Sequence, residues 1–168
     1  MAKNKGLRVD RAVRIIGAPT RVLAAFVDAR ALAAWWGVVR SVTTPRPLGV
    51  YALEWGNANG LTGGVFHGTV MEYRPGRELF VANAYWLPAG GEPLGPMGLE
   101  VTCSIDGPAT RVRVRQSGTD DGTRWKRYQD DMTSGWKMSL DALKQYIEDG
   151  AAPRLPAGRP QAPRPALD

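Results

Sequence analysis

Apolar and polar positions alternate along most of this chain and then change period near its end. Val9, Val13 and Ile15 fall on alternate positions and the run stops at Gly17, which predicts a half-buried first strand over 9–16. Ala18-Pro19-Thr20 then opens a helix over 21–27, with Val22, Leu23, Phe26 and Val27 on one side. Asp28 closes that helix or caps a second short one over 30–34, and Trp35-Trp36-Gly37 ends the pair. Six more strands are expected over 38–43, 50–55, 63–73, 78–86, 98–106 and 110–117. The breaks between them are turn chemistry: Pro45-Arg46-Pro47, Gly56 to Gly60, Arg74-Pro75-Gly76 and Asp106-Gly107-Pro108. Residues 87–97, rich in Gly and Pro, read as a mobile loop, and Gly63-Gly64 as turn chemistry opening a strand.

From residue 123 the period becomes helical. Trp125, Tyr128, Met132, Trp136, Leu140, Leu143 and Ile147 recur at steps of three or four and share one face up to Gly150. The first half of that face is aromatic around a small Ser134-Gly135 pair, and the second half is plain Leu and Ile. A helix buried wholly as core has no need of that switch. A helix lying across a sheet, closing a cavity at one end and a dry core at the other, does. Strands joined in order as hairpins give an antiparallel sheet, and one long amphipathic helix covers one face of it. The expectation is an α+β container.

Composition narrows the setting. A chain of 168 residues fits one domain. We expect a flexible basic N-terminus over 1–8, the folded domain over 9–150 and a disordered tail over 151–168. That tail holds five prolines and too few large apolar residues to offset its chain entropy. The formal charge of +6 sits on the ends: residues 1–14 carry a net +4 and 151–168 a net +2, so the body is neutral. A nucleic-acid surface needs a basic stripe on structured elements, so none is expected. Cys103 is the single cysteine, which excludes an internal disulfide and a thiolate cluster. With one His as well, no metal site of nitrogen and sulfur ligands is expected, and no cofactor. Asp120-Asp121 read as a helix N-cap and Asp130-Asp131 as a solvated helix face. No apolar run approaches the roughly 18 residues of a membrane span. The basic N-terminus leads into no apolar signal core, so cytoplasmic residence is expected.

Several motifs in this order carry a resemblance. They are Ala18-Pro19-Thr20-Arg21-Val22, Phe26-Val27-Asp28, Leu32 through Trp35-Trp36-Gly37, and Gly68-Thr69-Val70-Met71-Glu72-Tyr73-Arg74-Pro75 into Leu79-Phe80. Val101-Thr102, Thr110-Arg111-Val112, and Gly135-Trp136 through Tyr146-Ile147-Glu148 follow. Across 9–150 the chain resembles the START-like helix-grip superfamily, also called SRPBCC. Within that superfamily it resembles the activator-of-Hsp90-ATPase-homologue branch. The resemblance implies a helix-grip fold: a seven-stranded antiparallel sheet wrapped around the long C-terminal helix, with two short helices after the first strand. Members of the superfamily bind lipids, hormones and polyketides, and some cyclise, dehydrate or hydrolyse them. The eukaryotic namesake stimulates a chaperone and carries a separate N-terminal domain for which this chain has no room, so chaperone activation ranks below ligand binding here.

The residues expected to line the cavity are Trp36, Trp55, Phe66 and Trp86 from the first helices and the strands, with Trp125, Tyr128, Met132 and Trp136 from the long helix. A Trp offers a broad apolar face and one N–H donor, which suits an aromatic ligand. The plainer reading is packing, and it fits Trp35 and Trp136 best, since both belong to the motifs that carry the resemblance. His67, Glu72 and Tyr51 are the candidates for proton transfer. By strand parity Glu72 can face inward with Arg113 as its partner, but the favoured reading is an exposed row of Arg111, Arg113 and Arg115 on an outward strand face. Glu54 is expected outside, and Cys103 reads as a buried, inert thiol. The leading functional expectation is therefore the binding of a small hydrophobic or aromatic molecule between helix and sheet. A cyclase- or dehydratase-type enzyme on an apolar substrate is the alternative. A protein-interaction module, acting on a chaperone or as a homodimer, is the third.

Overall fold

The computed structural model describes residues 6–56, 62–118 and 122–150. The expected tail over 151–168, the turn over 57–60 and the Asp120-Asp121 cap lie outside them. The first strand, β1 (Arg8–Ile16), is followed by α1 (Pro19–Ala24) and α2 (Ala29–Trp36). Then come β2 (Val38–Thr43), β3 (Val50–Gly56), β4 (Thr62–Arg74), β5 (Glu78–Pro88), β6 (Leu94–Asp106), β7 (Ala109–Gly118) and the long α3 (Thr123–Asp149). Pro19 starts α1, where its missing N–H costs nothing. Asp28 caps α2, its carboxylate accepting the Ala31 N–H at 2.8 Å. Gly37 (φ 71°) and Gly150 (φ 65°) end α2 and α3 in the left-handed conformation. At the start of α3 the N-cap position is Gly122.

The seven strands form one antiparallel sheet in the order β1-β7-β6-β5-β4-β3-β2. Strands β2 to β7 pair in sequence, but β1 pairs with β7, so α1 and α2 carry the chain from one edge of the sheet to the other. Domain packing begins before residue 9: Leu7 is buried and its carbonyl accepts the Gly118 N–H at 3.0 Å.

The inner face of the sheet holds Val9, Ile15, Leu53, Val70, Leu79, Val81, Val101, Val112 and Val114, all buried, with α3 laid across it. The buried residues of α3 are those of the expected stripe, with Ala142 added. Side chains tie α3 to the β1 edge. Gln129 Nε2 donates to the Arg8 carbonyl (3.1 Å), Lys144 Nζ to the Arg14 carbonyl (2.7 Å), and the Ile16 N–H to Glu148 Oε1 (2.9 Å). An open row of strand donors and acceptors is thereby occupied.

One expectation needs correction. The loop expected over 87–97 shrinks to 89–93: β5 runs to Pro88, β6 starts at Leu94, and Trp86 pairs with Leu94 and Ala84 with Met97. The Gly and Pro content obscured the inward set Leu94, Met97 and Leu99, which register shifts on β5–β6 keep facing the core. Gly63 and Gly64 stand at the opening of β4, which starts one residue before the expected strand, at Thr62.

Candidate functional site

One recess lies between the first half of α3 and the inner face of the sheet. Its walls come from seven elements: Trp36 on α2, Trp55 on β3, Phe66 on β4, Trp86 on β5, Leu99 on β6, Gln116 on β7, and Tyr128, Met132 and Trp136 on α3. Strand alternation supplies the sheet residues, and the three- and four-residue steps of α3 supply the rest. Each wall residue is at most 8% exposed. Seven of the eight side chains expected to line a cavity meet here. Trp125 does not; its ring packs over Gly118 at the start of α3.

The rings form a continuous aromatic chain. Phe26 meets Trp35 edge-on at 5.2 Å, and Trp35 stacks flat on Trp36 at 4.8 Å and 8°. Trp36 then contacts Trp55 (5.2 Å) and Trp136 (5.0 Å), and Trp55 contacts Trp86 (6.0 Å). These separations are in the range of favourable ring pairs. Glycine makes room at one point. A Cβ on Gly64 would collide with the Trp86 ring, so the indole lies against bare backbone.

Most of the donors are satisfied. Trp35 Nε1 donates to the Ala25 carbonyl (2.8 Å), Trp36 Nε1 to Ser139 Oγ (3.1 Å), Trp55 Nε1 to the Trp36 carbonyl (3.0 Å), and Trp136 Nε1 to Gln116 Oε1 (3.0 Å). Gln116 Nε2 donates to Tyr128 Oη (3.1 Å) and Met97 Sδ (3.3 Å). Trp86 Nε1 is buried with no hydrogen-bond partner.

The recess is narrow. It encloses about 280 Å³ of space between atoms out to its mouth, but the centre of a water-sized sphere fits in only about 20 Å³ of it. That is roughly the room one water needs. The expected open container is therefore a set of crevices between aromatic rings.

The proton-transfer candidates do not converge on it. His67 lies on the outer face, paired across the strands with Ala52 and Tyr85 and stacked on the Tyr85 ring at 5.9 Å. Glu72 also lies outside, its carboxylate 3.5 Å from Arg74 and its side chain 44% exposed. A register shift between Val70 and Glu72 defeats the parity that predicted it inward. Tyr51 is buried, but its hydroxyl donates to the Phe26 carbonyl at 2.9 Å, and burial pushes its phenol well above the ordinary range. Arg113 binds Asp10 (Nε–Oδ1 2.8 Å) on the outer face and Arg115 binds Glu100, so the arginine row is external. Glu54 pairs with Arg40 across β2–β3, as alternation predicts. Cys103 is half-buried, and burial raises its thiol to about 12. Among the described residues no group of three or more His, Cys, Asp or Glu gathers at metal-binding distance.

Sequence reading missed Leu99 and Gln116. Both were within reach of parity, because Gln116 continues the inward set Val112 and Val114. A lone polar residue at the end of a strand carries no signal of its own.

A family model described as "Activator of Hsp90 ATPase homolog 1-like protein" matches residues 18–148. The chain belongs to that family. No curated protein matches it in sequence. Among solved structures, protein CV1439 from Chromobacterium violaceum is similar at TM-score 0.65 and 22% identity, over 84% of this chain and 98% of that one. The Aha1 dimer from Colwellia psychrerythraea gives 0.63 and 17%, over 86% and 98%. CalU16 from Micromonospora echinospora gives 0.61 and 19%, over 83% and 75%. At these identities the likeness is one of fold. The Hsp90-activator-like domain seen here thus has the helix-grip architecture, which commonly binds hydrophobic ligands. None of its described helices is long and apolar enough to cross a membrane.

Proposed function

We propose that this protein binds one small apolar or aromatic molecule between α3 and the sheet. The convergence of six aromatic side chains, Leu99 and Met132 on a single recess carries the reading. A wall of this composition holds a flat ring on both faces and offers little to a polar solute.

Ligand pockets usually measure about 300 Å³ or more, so binding here requires the walls to part. The slack already present between rings merges when a few side chains rotate. Met132 has the flexible thioether suited to that adjustment, and Trp36, 8% exposed, stands at the end of a two-turn helix. Packing of the ligand against the parted rings replaces their packing on one another, at about 25 cal/mol for each Å² of apolar ligand surface removed from water. The outward positions of His67 and Glu72 favour binding over catalysis.

Native mass spectrometry of gently purified protein, followed by a thermal-shift screen of aromatic and lipid-like compounds, tests the proposal. A co-purifying molecule or a stabilising compound, lost on Met132→Trp, is the expected result. A bare mass and a flat screen would remove it.

A second reading has one observation of its own. Val42 (61% exposed), Val50 (48%) and Met71 (43%) lie exposed on β2, β3 and β4, and Leu48 (79%), in the β2–β3 connection, joins them through its N–H to the Val70 carbonyl. Such a patch suits a protein partner or a second copy, and the Colwellia relative is a dimer. Light scattering across a concentration series distinguishes a dimer, which Val42→Asp would disperse, from a constant monomer mass.

A further inference from the structure

The polar atoms of the recess are ordered by one donor. An indole N–H donates and never accepts, so the atom of Gln116 facing Trp136 at 3.0 Å must be its oxygen. The amide nitrogen is thereby turned towards Tyr128 Oη at 3.1 Å. That nitrogen carries only donors, so the Tyr128 oxygen accepts, and the phenol's own proton is not used in the contact. Burial pushes the Tyr128 phenol above its ordinary range, so the proton stays in place. Among the described residues Tyr128 makes no further hydrogen bond. Trp86 adds a second unspent donor, its indole N–H being buried without an acceptor. Both residues line the recess. Trp36, Trp55 and Trp136 each spend their N–H elsewhere.

We infer that the recess selects aromatic molecules bearing a neutral hydrogen-bond acceptor, a ketone or quinone carbonyl, which Trp86 receives with Tyr128 as a second donor. The inference rests on the binding reading above and specifies its ligand. The alternatives fail on the same geometry. A plain hydrocarbon leaves the Trp86 N–H unpaired. A phenol or alcohol accepts from Trp86 less strongly than a carbonyl and must also place its own proton, for which the wall offers only the second lone pairs of the Gln116 amide and Tyr128 oxygens. A carboxylate would place a charge among walls that contain no cation, at a large desolvation cost.

Fluorene and fluorenone share ring system and shape and differ by one carbonyl oxygen. Calorimetric titration of the full chain with each, for wild type and Trp86→Phe, measures the effect of that oxygen. Phenylalanine keeps an aromatic face and removes the N–H. Fluorenone is expected to bind wild type about tenfold more tightly than fluorene, and the difference to collapse in Trp86→Phe. In wild-type protein the Trp86 indole proton resonance should move downfield with fluorenone and not with fluorene, a readout independent of how the variant folds. Equal affinities with no such shift, or a water held on Trp86 in the fluorenone complex, would overturn the acceptor rule while leaving apolar binding intact. Failure of both compounds to bind would remove the rule together with the binding reading.

Discussion

Trp86 and Trp35 are both buried indoles, yet the fold treats them differently. Trp35 is fully enclosed, stacked on Trp36, and its N–H meets the Ala25 carbonyl. Trp35→Phe removes packing and leaves that carbonyl unpaired, and should cost about 3 kcal/mol in urea unfolding. Trp86→Phe removes packing but also an unsatisfied donor worth about 1–3 kcal/mol, so its net cost should be smaller by that margin. Equal losses would mean that the Trp86 N–H finds a partner in solution. Cys103 gives a second residue-level prediction. Its thiol pKa is raised to about 12 by burial, so the folded protein holds the proton where an unfolded thiol releases it. Its contribution to stability therefore falls as pH rises from the free-thiol value near 8.5 towards 12. Iodoacetamide at pH 8 should label native protein far more slowly than urea-unfolded protein; equal rates would show the thiol to be open. Much of this was legible in the sequence, because aromatic identity and helical spacing put Tyr128, Met132 and Trp136 on one face. Whether an indole finds an acceptor was not legible, since that depends on a carbonyl or amide from another element.

Among elements, the boundary signals were the most readable. Asp28, Pro19, Gly37 and Gly150 all stand where capping chemistry needs them. Asp28→Ala should cost about 1 kcal/mol by removing the acceptor for Ala31 N–H. Gly64 tells more about the site. Its sequence context suggests turn chemistry, but its bare backbone within β4 accommodates the Trp86 ring. Gly64→Ala should destabilise by about 1–3 kcal/mol and drive the indole into the recess, which denaturant melts and compound binding would report together. Strand faces were readable where pairing is regular and misleading where it slips. Parity failed for Glu72 because it assumes two residues per repeat, and a register shift breaks that count. The β1 edge carries a pH dependence. Arg113 holds the Asp10 carboxyl below its usual value, and the Ile16 N–H with Lys144 does the same for Glu148. Both stabilise above the unfolded pKa near 4, and that stabilisation is lost as pH falls through the lower folded values. Asp131, raised by burial and by Asp130, works in the opposite direction. Asp10→Asn with Glu148→Gln should flatten the acid limb of the stability curve. An unchanged limb would assign acid unfolding to other carboxylates.

At the scale of the molecule, the sheet and α3 divide their shared interior into two parts. Leu140, Leu143 and Ile147 close a dry core beside α1 and β1, while the first half of α3 leaves aromatic crevices over β3 to β7. The change of residue type along α3 announced that division. The volume of the recess could not be read from it, because six aromatic side chains can either surround a space or fill it. The six tryptophans are reporters placed to decide the matter: four line the recess, while Trp35 lies behind it and Trp125 packs at the start of α3. The most direct measurement is the set of indole N–H resonances of nitrogen-15-labelled protein during titration with a small aromatic such as fluorenone. Saturable shifts of Trp36, Trp55, Trp86 and Trp136, with Trp125 unmoved, are the predicted result. A spectrum that does not change, or shifts confined to Trp125, would contradict a binding site between α3 and the sheet.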